Sequence, residues 1–527
     1  MNWLTSLATA AATHPDIVTF NRGIEREALR VTPQGKLSQQ PHPSEFGSKL
    51  THPKITTDFS ESQLELITPV QQKIEDSLTE LDRIHRHVNS HLGDEIIWSA
   101  SMPCELPDDS EIPLAYFGDS NLGRLKTTYR SGLGYRYGRD MQTICAIHYN
   151  FSFPDSFWVW LHESEKSVED LQTFTTRRYF DLMRNFRRFS WLLTYLFGAS
   201  PAVCRSFTEG KEHNLESFDD ATAFLPYATS LRSGDLGYQS DTQANEMNIC
   251  YNAINDYVAT LATAISTPHE RYEDIGVHVG SEYRQVNANI LQSEAEFYSS
   301  IRAKRVPGPG ENFLASLKQD GVQYIEVRLL DINPYLPLGI DAEAIRFIDT
   351  FLLYCLSLDS PFHDDVRCRE VKTNVTKTVM EGRKPGVMLK DNGSERSLQD
   401  WGDEILNGAT RYAALLDELH GGEDYQRSLN TQRQKVAQPD LTPSGQILLD
   451  MERGAIPFSQ FAMNHSLAHQ KNFQATHLTP KETDEFDTQA AKSRRKQADI
   501  EAADSRSFDE YLKTVADAYL PLRGEAS

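Results

Sequence analysis

Long apolar runs are missing from this chain. Its most hydrophobic stretch, residues 189–203, is interrupted by Ser, Thr and Gly. It is also shorter than the ~20 apolar residues that a membrane-spanning helix needs, so no span is expected. Basic residues are scarce: 53 Lys and Arg face 75 Asp and Glu, a net charge of −22. Nucleic acid and anionic membrane surfaces are held by basic patches, so neither is an expected partner. Anionic small molecules stay open where metal ions mediate their binding. The six cysteines form no C-x-x-C pair, and the closest two, Cys355 and Cys368, lie thirteen positions apart. Scattered cysteines predict buried thiols in a reducing, cytoplasmic setting and no disulfide framework. Residues 1–13 are rich in Ala, Ser and Thr, but no Lys or Arg precedes Arg22. A signal peptide needs that early positive charge, so a short surface helix ending before Pro15 is expected instead.

The common chemical motifs are absent as well. There is no phosphate-binding G-x-x-x-x-G-K-[ST], no dinucleotide fingerprint, no H-E-x-x-H and no EF-hand loop. No Ser, His and Asp arrangement stands out.

What is present is apolar material for a large core: 39% hydrophobic and 10% aromatic residues over 527 positions. Residues 77–92 place Leu78, Leu81, Ile84, Val88 and Leu92 at three- and four-residue steps, which predicts an amphipathic helix. Residues 177–196, 342–356 and 405–419 read as helices in the same way. Strands are predicted at 142–153, 284–291 and 324–330, whereas 23–31 fits either period. The Pro and Gly of 306–311 predict a loop, and 385–392 another break. Beyond about residue 390 the chain turns charged and helical, so residues 1–390 are expected to form the catalytic unit and 391–527 a helical region packed on it or appended to it. The basic run 492–496 is flanked by acids and reads as a solvated helix face.

The strands have two unlike faces. In 142–153 one face is almost wholly apolar (Cys145, Ile147, Tyr149, Phe151, Phe153), and the other carries Gln142, His148 and Asn150. In 324–330, Glu326 and Arg328 oppose Ile325, Val327 and Leu329. Asn287 and Asn289 share a face in 284–291, and Glu25 and Glu27 do so if 23–31 is a strand. This pattern fits an antiparallel sheet with one face on the core and one on a wet cleft. Glu25, Glu27, Glu326 and His148 are hard oxygen and nitrogen donors suited to Mg²⁺ or Mn²⁺. Carboxylates that converge repel one another unless divalent cations lie between them. Asp58 and Glu65, seven positions apart, add two more candidates.

Six ordered segments now carry a resemblance. They are 22–30 (RGIEREALR), 55–65 (ITTDFSESQLE), 142–152 (QTICAIHYNFS), 225–238 (LPYATSLRSGDLGY), 298–306 (YSSIRAKRV) and 324–334 (YIEVRLLDINP). Together they resemble proteobacterial-type glutamate–cysteine ligase over residues 20–390. The resemblance implies an α+β fold related to glutamine synthetase: a curved, saddle-like antiparallel sheet flanked by helices, with the active site in its hollow. It implies ATP-dependent ligation of the γ-carboxylate of L-glutamate to the amine of L-cysteine through γ-glutamyl phosphate, the first step of glutathione synthesis. It also implies two or three Mg²⁺ ions, with Mn²⁺ as a substitute.

Carried over residue by residue, Glu25, Asp58 and Glu65 hold one ion, and Glu27, His148 and Glu326 hold another. A third ion shares Glu25 and Glu326. Arg328 neutralises the transferred phosphoryl group and Arg232 pairs with a substrate carboxylate. Phe59, Tyr129, Leu133, Gln142, Tyr238 and Tyr298 form the cysteine pocket. Asn150, Arg302, Lys304 and Arg305 lie near the nucleotide. A monomer is expected. The competing readings are a γ-glutamyl ligase with another amine acceptor, a non-catalytic binding protein that keeps the fold, and a divalent-metal phosphohydrolase.

Overall fold

Glu25 and Glu27 stand two positions apart in residues 21–31, and the backbone there is a strand, β1 (Asn21–Val31). The ambiguity between helix and strand is thus resolved in favour of the period that places Glu25 and Glu27 on one face. The computed structural model describes residues 3–524, apart from 235, 238–242, 244–246, 248 and 309. Around β1 an open antiparallel sheet assembles from β2 (Ile55–Thr57), β3 (Gln63–Ile67), β4 (Ile96–Ile97), β5 (Ile147–Ser152), β6 (Ile301–Lys304) and β7 (Tyr324–Leu330). The order is β6-β7-β5-β1-β3-β2, with β4 pairing the far end of β1.

Helices cover the apolar face. The ones used below are α1 (Trp3–Thr13), α2 (Ile74–Asn89), α3 (Asn121–Tyr137), α4 (Leu171–Phe197), α5 (Ala342–Ser357), α6 (Asp365–Glu381), α7 (Leu398–His420), α8 (Pro480–Ala503) and α9 (Phe508–Asp517). The longest, α4, starts where the Asp170 side chain accepts from the Thr173 amide at 3.0 Å, satisfying one orphan donor of the first turn. It buries Phe180, Phe186, Trp191, Leu193 and Tyr195. Each such side chain contributes roughly 1.5–3 kcal/mol relative to exposure. One hydrophobic core runs from Leu7 to Leu522. No helix among the described residues is long and apolar enough to cross a membrane.

Four sequence expectations are corrected. Strand β5 begins at Ile147, not at Gln142, because Met141–Thr143 is a tight turn held by the Asp140 side chain on the Met141 amide (2.7 Å) and by Thr143 Oγ1 on the Asp140 carbonyl (2.6 Å). Residues 284–291 form no strand. Asn287 Oδ1 accepts from the Asn289 amide (2.9 Å), and Asn289 Nδ2 donates to the Ile265 carbonyl (2.6 Å). Side-chain bonds to the backbone of this kind compete with a ladder. The break at 385–392 contains a hairpin, Met388–Asp391 paired with Ser394–Ser397, whose turn uses Asn392 and Gly393 at φ +52° and +79°. Finally, Cys250 and Cys368 are paired as a disulfide, while Cys104, Cys145, Cys204 and Cys355 are buried thiols. Spacing along the chain carries no information about a contact 118 residues apart.

The last two helices wrap the sheet's β2 end. Gly47, at φ +81°, lies so close to α8 that a Cβ there would stand 2.7 Å from the Ala490 Cα. Phe486 stacks on His87 of α2 at 4.2 Å. Asn121, at the start of α3, donates to the Arg506 carbonyl at 3.0 Å, and Tyr283 donates to Asp509 at 2.7 Å.

Candidate functional site

Strand register lines up the polar residues. Across the sheet, Arg302, Glu326, Asn150 and Gly23 are successive partners, as are His148 with Glu25, and Thr56, Glu65 and Glu27. The side-chain period of 2 then places all of them on one face, opposite the helical core. His148 is the hub. Its Nδ1 lies 3.2 Å from Glu25 Oε2 and 3.9 Å from Glu326 Oε1, and its Nε2 lies 3.5 Å from Glu27 Oε1. Asn150 Nδ2 donates to Glu25 Oε1 at 2.8 Å, and the Ala146 amide donates to Glu27 Oε2 at 2.8 Å. The bond to Glu27 exists because the chain straightens only after the 141–143 turn.

Charges on this face pull one another's protonation apart. Burial, with Glu25 and Asp58 adding repulsion, pushes the Glu65 carboxyl up to about 8. Burial, with Asp58 and Glu65, likewise drives Glu27 well above the ordinary carboxylate range. Glu326 is equally buried, yet Lys304, Arg328, His148 and Arg302 together hold it well below that range. Burial also acts on Glu25, but the His148 hydrogen bond and Lys304 outweigh it and Glu25 is lowered. His148 is lowered by burial and by Arg328. Burial and mutual repulsion thus favour the neutral form of Glu27 and Glu65, where four charges would repel.

Ligand atoms of Glu25, Glu65 and His148 fall within 4.8 Å of one another, a grouping that cuts across the two ion sets carried over from the sequence. Asp58 stands at the half-buried turn between β2 and β3, outside that trio. The buried Glu326 Oε2 makes no hydrogen bond among the described residues and has the Arg328 guanidinium as its ion-pair neighbour at 3.2 Å. Carboxylates plus one imidazole, crowded enough to raise two pKa values, fit a hard divalent cation.

The cations have uneven places. Lys304 Nζ is 3.6 Å from Glu326 Oε1, and Arg328 Nη1 is 3.2 Å from Glu326 Oε2 and 3.4 Å from His148 Nδ1. Arg232 is tied by Nε to Asp331 Oδ1 at 2.6 Å, with Nη2 on the Arg328 carbonyl at 3.1 Å. Arg302 donates to the carbonyls of Ala295 (2.8 Å) and Phe297. Arg305 is the one site candidate drawn elsewhere: Nε and Nη2 donate to the carbonyls of Gly321 and Asp320, closing the end of the Phe313–Asp320 helix.

Among the acceptor-pocket residues, Gln142 Nε2 donates to Tyr298 OH at 3.3 Å, and Phe59 and Leu133 are buried. Tyr129 and Leu133 share α3, and Tyr238 lies outside the described residues.

Sequence reasoning missed three residues here. Asp331 holds Arg232 and also accepts from Ser230 Oγ and Ser200 Oγ at 2.9 and 2.8 Å. A carboxylate between Leu330 and Ile332 was its signal, since an acid in an apolar run needs partners. Arg130 donates to the Asp58 carbonyl. Lys126, one turn earlier on α3, is lowered to about 8 by burial and by Arg130, with Glu65 opposing. Neither stands in a segment whose pattern marks one face in the sequence.

Such a face of an open antiparallel sheet offers hard donors that suit a divalent cation, with Lys304 and Arg328 beside them that suit anionic groups. A family model described as glutamate-cysteine ligase matches residues 5–378. The chain is 48% identical over 510 residues to the glutamate–cysteine ligase of Alcanivorax borkumensis, covering 96% of each chain. It is 47% identical over 517 residues to that of Pseudomonas paraeruginosa, covering 98% of each. The crystal structure of Francisella tularensis glutamate–cysteine ligase in complex with AMP superposes with a TM-score of 0.90 at 34% identity, covering 96% of this chain and 99% of that one. A bifunctional glutathione synthetase from Pasteurella multocida superposes with a TM-score of 0.71 at 25% identity, but this chain covers only 58% of it. The chain belongs to the glutamate–cysteine ligase family.

Proposed function

We propose that this protein joins the γ-carboxyl group of L-glutamate to the amine of L-cysteine, using ATP and releasing ADP and phosphate. The observation that carries this reading is the row of Glu25, Glu27, Glu65, Glu326 and His148 on one sheet face, flanked by Lys304 and Arg328. A carboxylate is a poor electrophile, so its oxygen first attacks the γ-phosphorus of ATP and the bond to ADP breaks. The cysteine nitrogen then attacks the carbonyl carbon of γ-glutamyl phosphate, the carbon–oxygen bond to phosphate breaks, and the nitrogen loses a proton.

Glu25, Asp58 and Glu65, and Glu27, His148 and Glu326, would hold Mg²⁺ or Mn²⁺, with a third ion shared between Glu25 and Glu326. Such ions offset the charge of phosphate oxygens beside a carboxylate nucleophile. Arg328 reaches the same face and presents a planar fork to the phosphoryl oxygens. Asp331 fixes Arg232 so that its outer edge meets a substrate carboxylate. Gln142 and Tyr298 hold the acceptor side, with Phe59, Tyr129 and Leu133 as its apolar wall. Asn150, Lys304 and Arg302 border the nucleotide end. The protein works as a monomer in this reading.

The test is ADP release with Mg²⁺, glutamate and cysteine, each left out in turn. ADP release that needs both amino acids and stops with chelator supports the proposal. Faster turnover with another amine would replace the acceptor. Hydrolysis that ignores amino acids would make the protein a phosphohydrolase.

A further inference from the structure

Five arginines lie on α4, and four have carboxylate partners. Arg177 reaches Glu169 at 2.8 Å, Arg178 reaches Asp181 at 3.0 Å, Arg184 pairs with Asp181, and Arg188 reaches Asp391 at 2.7 Å. Arg187 has none among the described residues. Its Nη1 donates to the Ile249 carbonyl at 2.7 Å, and its guanidinium lies over the Tyr251 ring, 4.6 Å from the centroid. Burial pulls its pKa below the ordinary arginine value, and the groups that oppose this are the Tyr251 and Tyr257 phenols, not carboxylates.

Arg187 lines a cavity of about 630 Å³ that Glu27, His148 and Arg328 of the site just described also line, with Asp365 at the start of α6. Arg369 and Lys372, exposed on α6, line the same cavity and have no carboxylate partner among the described residues. In a chain of net charge −22, a cavity with this many unpaired cations stands out. A half-buried guanidinium without an acid is costly, and it persists where an anion completes it. The carbonyl bond and the ring fix one edge of Arg187 in place and leave the rest of the fork facing the cavity.

We propose that Arg187, with Arg369 and Lys372 at the cavity mouth, forms a carboxylate-binding subsite that receives the α-carboxylate of an amino-acid substrate. The inference rests on the ligase reading above. That reaction uses only one carboxylate of the donor as nucleophile. The donor's α-carboxylate and the acceptor's carboxylate both remain charged and require cations away from the ion-binding face. Arg232 and Arg328 already have acidic neighbours, Asp331 and Glu326. Among the described residues, Arg187 has a carbonyl and a ring to hold it and no carboxylate partner.

The experiment compares the full-length protein with Arg187→Met and Arg187→Lys, measuring KM for glutamate, cysteine and ATP separately, together with Tm. A lost charge-assisted contact predicts that Arg187→Met raises KM for one amino acid by about 10- to 100-fold, with kcat and the KM for ATP little changed. A rise for glutamate assigns the subsite to the donor, and a rise for cysteine assigns it to the acceptor. The α-amide of the affected amino acid should be used poorly by the wild type, and the variant should discriminate less between acid and amide. Arg187→Lys keeps the charge and loses the fork. It should show a smaller rise, and it decides the matter if Arg187→Met does not fold. Unchanged KM for both amino acids, or a rise confined to ATP, overturns the subsite. A wild type that releases no ADP with glutamate and cysteine would instead remove the ligase reading.

Discussion

His148 Nδ1 lies 3.2 Å from Glu25 Oε2 across adjacent strands, where register makes the two residues direct partners. The same imidazole reaches Glu27 on its other nitrogen, so one ring spans two carboxylates of β1. That geometry ties the protonation of the face to its ability to bind cations.

Glu65 tests that link. Its folded pKa, about 8, stands above the ordinary 4.5. A raised acid gives the native state stability that is full below the unfolded pKa and is lost as pH rises through the folded one. Glu65→Gln should therefore raise the Tm of the metal-free protein at pH 9, by the equivalent of roughly 1–3 kcal/mol, with the gain vanishing toward pH 4.5. Thermal melts in chelator across pH measure this, and a pH-independent Tm difference would contradict it.

Glu326 should behave in the opposite way. Crowded carboxylates read from the sequence suggest that neutralising any one relieves repulsion. In the structure Glu326 sits among Lys304, Arg328 and Arg302, so its removal strands cations instead. Its folded pKa is depressed, so its stabilisation is present above the unfolded pKa and is lost on acidification through the lower folded value. Glu326→Gln should lower the Tm at pH 7 as well as abolish turnover. A higher Tm for the variant in chelator would reject this account.

Arg328→Lys should lose most turnover, about a hundredfold or more, because a point charge cannot replace a forked donor beside both Glu326 and His148. The measurement is kcat for ADP release at saturating substrates, and near-normal kcat would remove Arg328 from the phosphoryl step.

Gly47→Ala should loosen the C-terminal wrap. The position has φ +81°, and a Cβ would press on the α8 backbone, a combined strain of roughly 1–3 kcal/mol or more. Limited proteolysis should then cut near residues 476–480 before the rest of the chain is digested. An unchanged digestion pattern would show that α8 has room to adjust.

Much of the site was legible because period-2 patterning is local. Glu25 with Glu27, and Glu326 with Arg328, fall on common faces once each segment is a strand, and helices such as 77–92 announce themselves by their apolar steps. The failures share a cause. Asn287 and Asn289 alternate like a strand, but Asn287 accepts from the Asn289 amide and Asn289 donates to the Ile265 carbonyl. Gln142 alternates with its neighbours but lies in a turn. Arg305 follows Lys304 in a basic run, yet its fork closes a helix end. In each case a hydrogen bond to a particular backbone atom, invisible in composition, overrides the pattern.

The sequence by itself determined the chemistry available: hard donors, a forked arginine, an apolar pocket wall and too little positive charge for nucleic acid. It also determined the family, through six ordered segments. The tertiary structure alone decided which carboxylates approach one imidazole, that Asp331 fixes Arg232, that Cys250 meets Cys368, and that Arg187 lines a cavity with no carboxylate partner among the described residues. Those relations span up to hundreds of residues and depend on strand register and helix packing. Charge pairing acts over a few ångströms in space, and distance along the chain does not encode it.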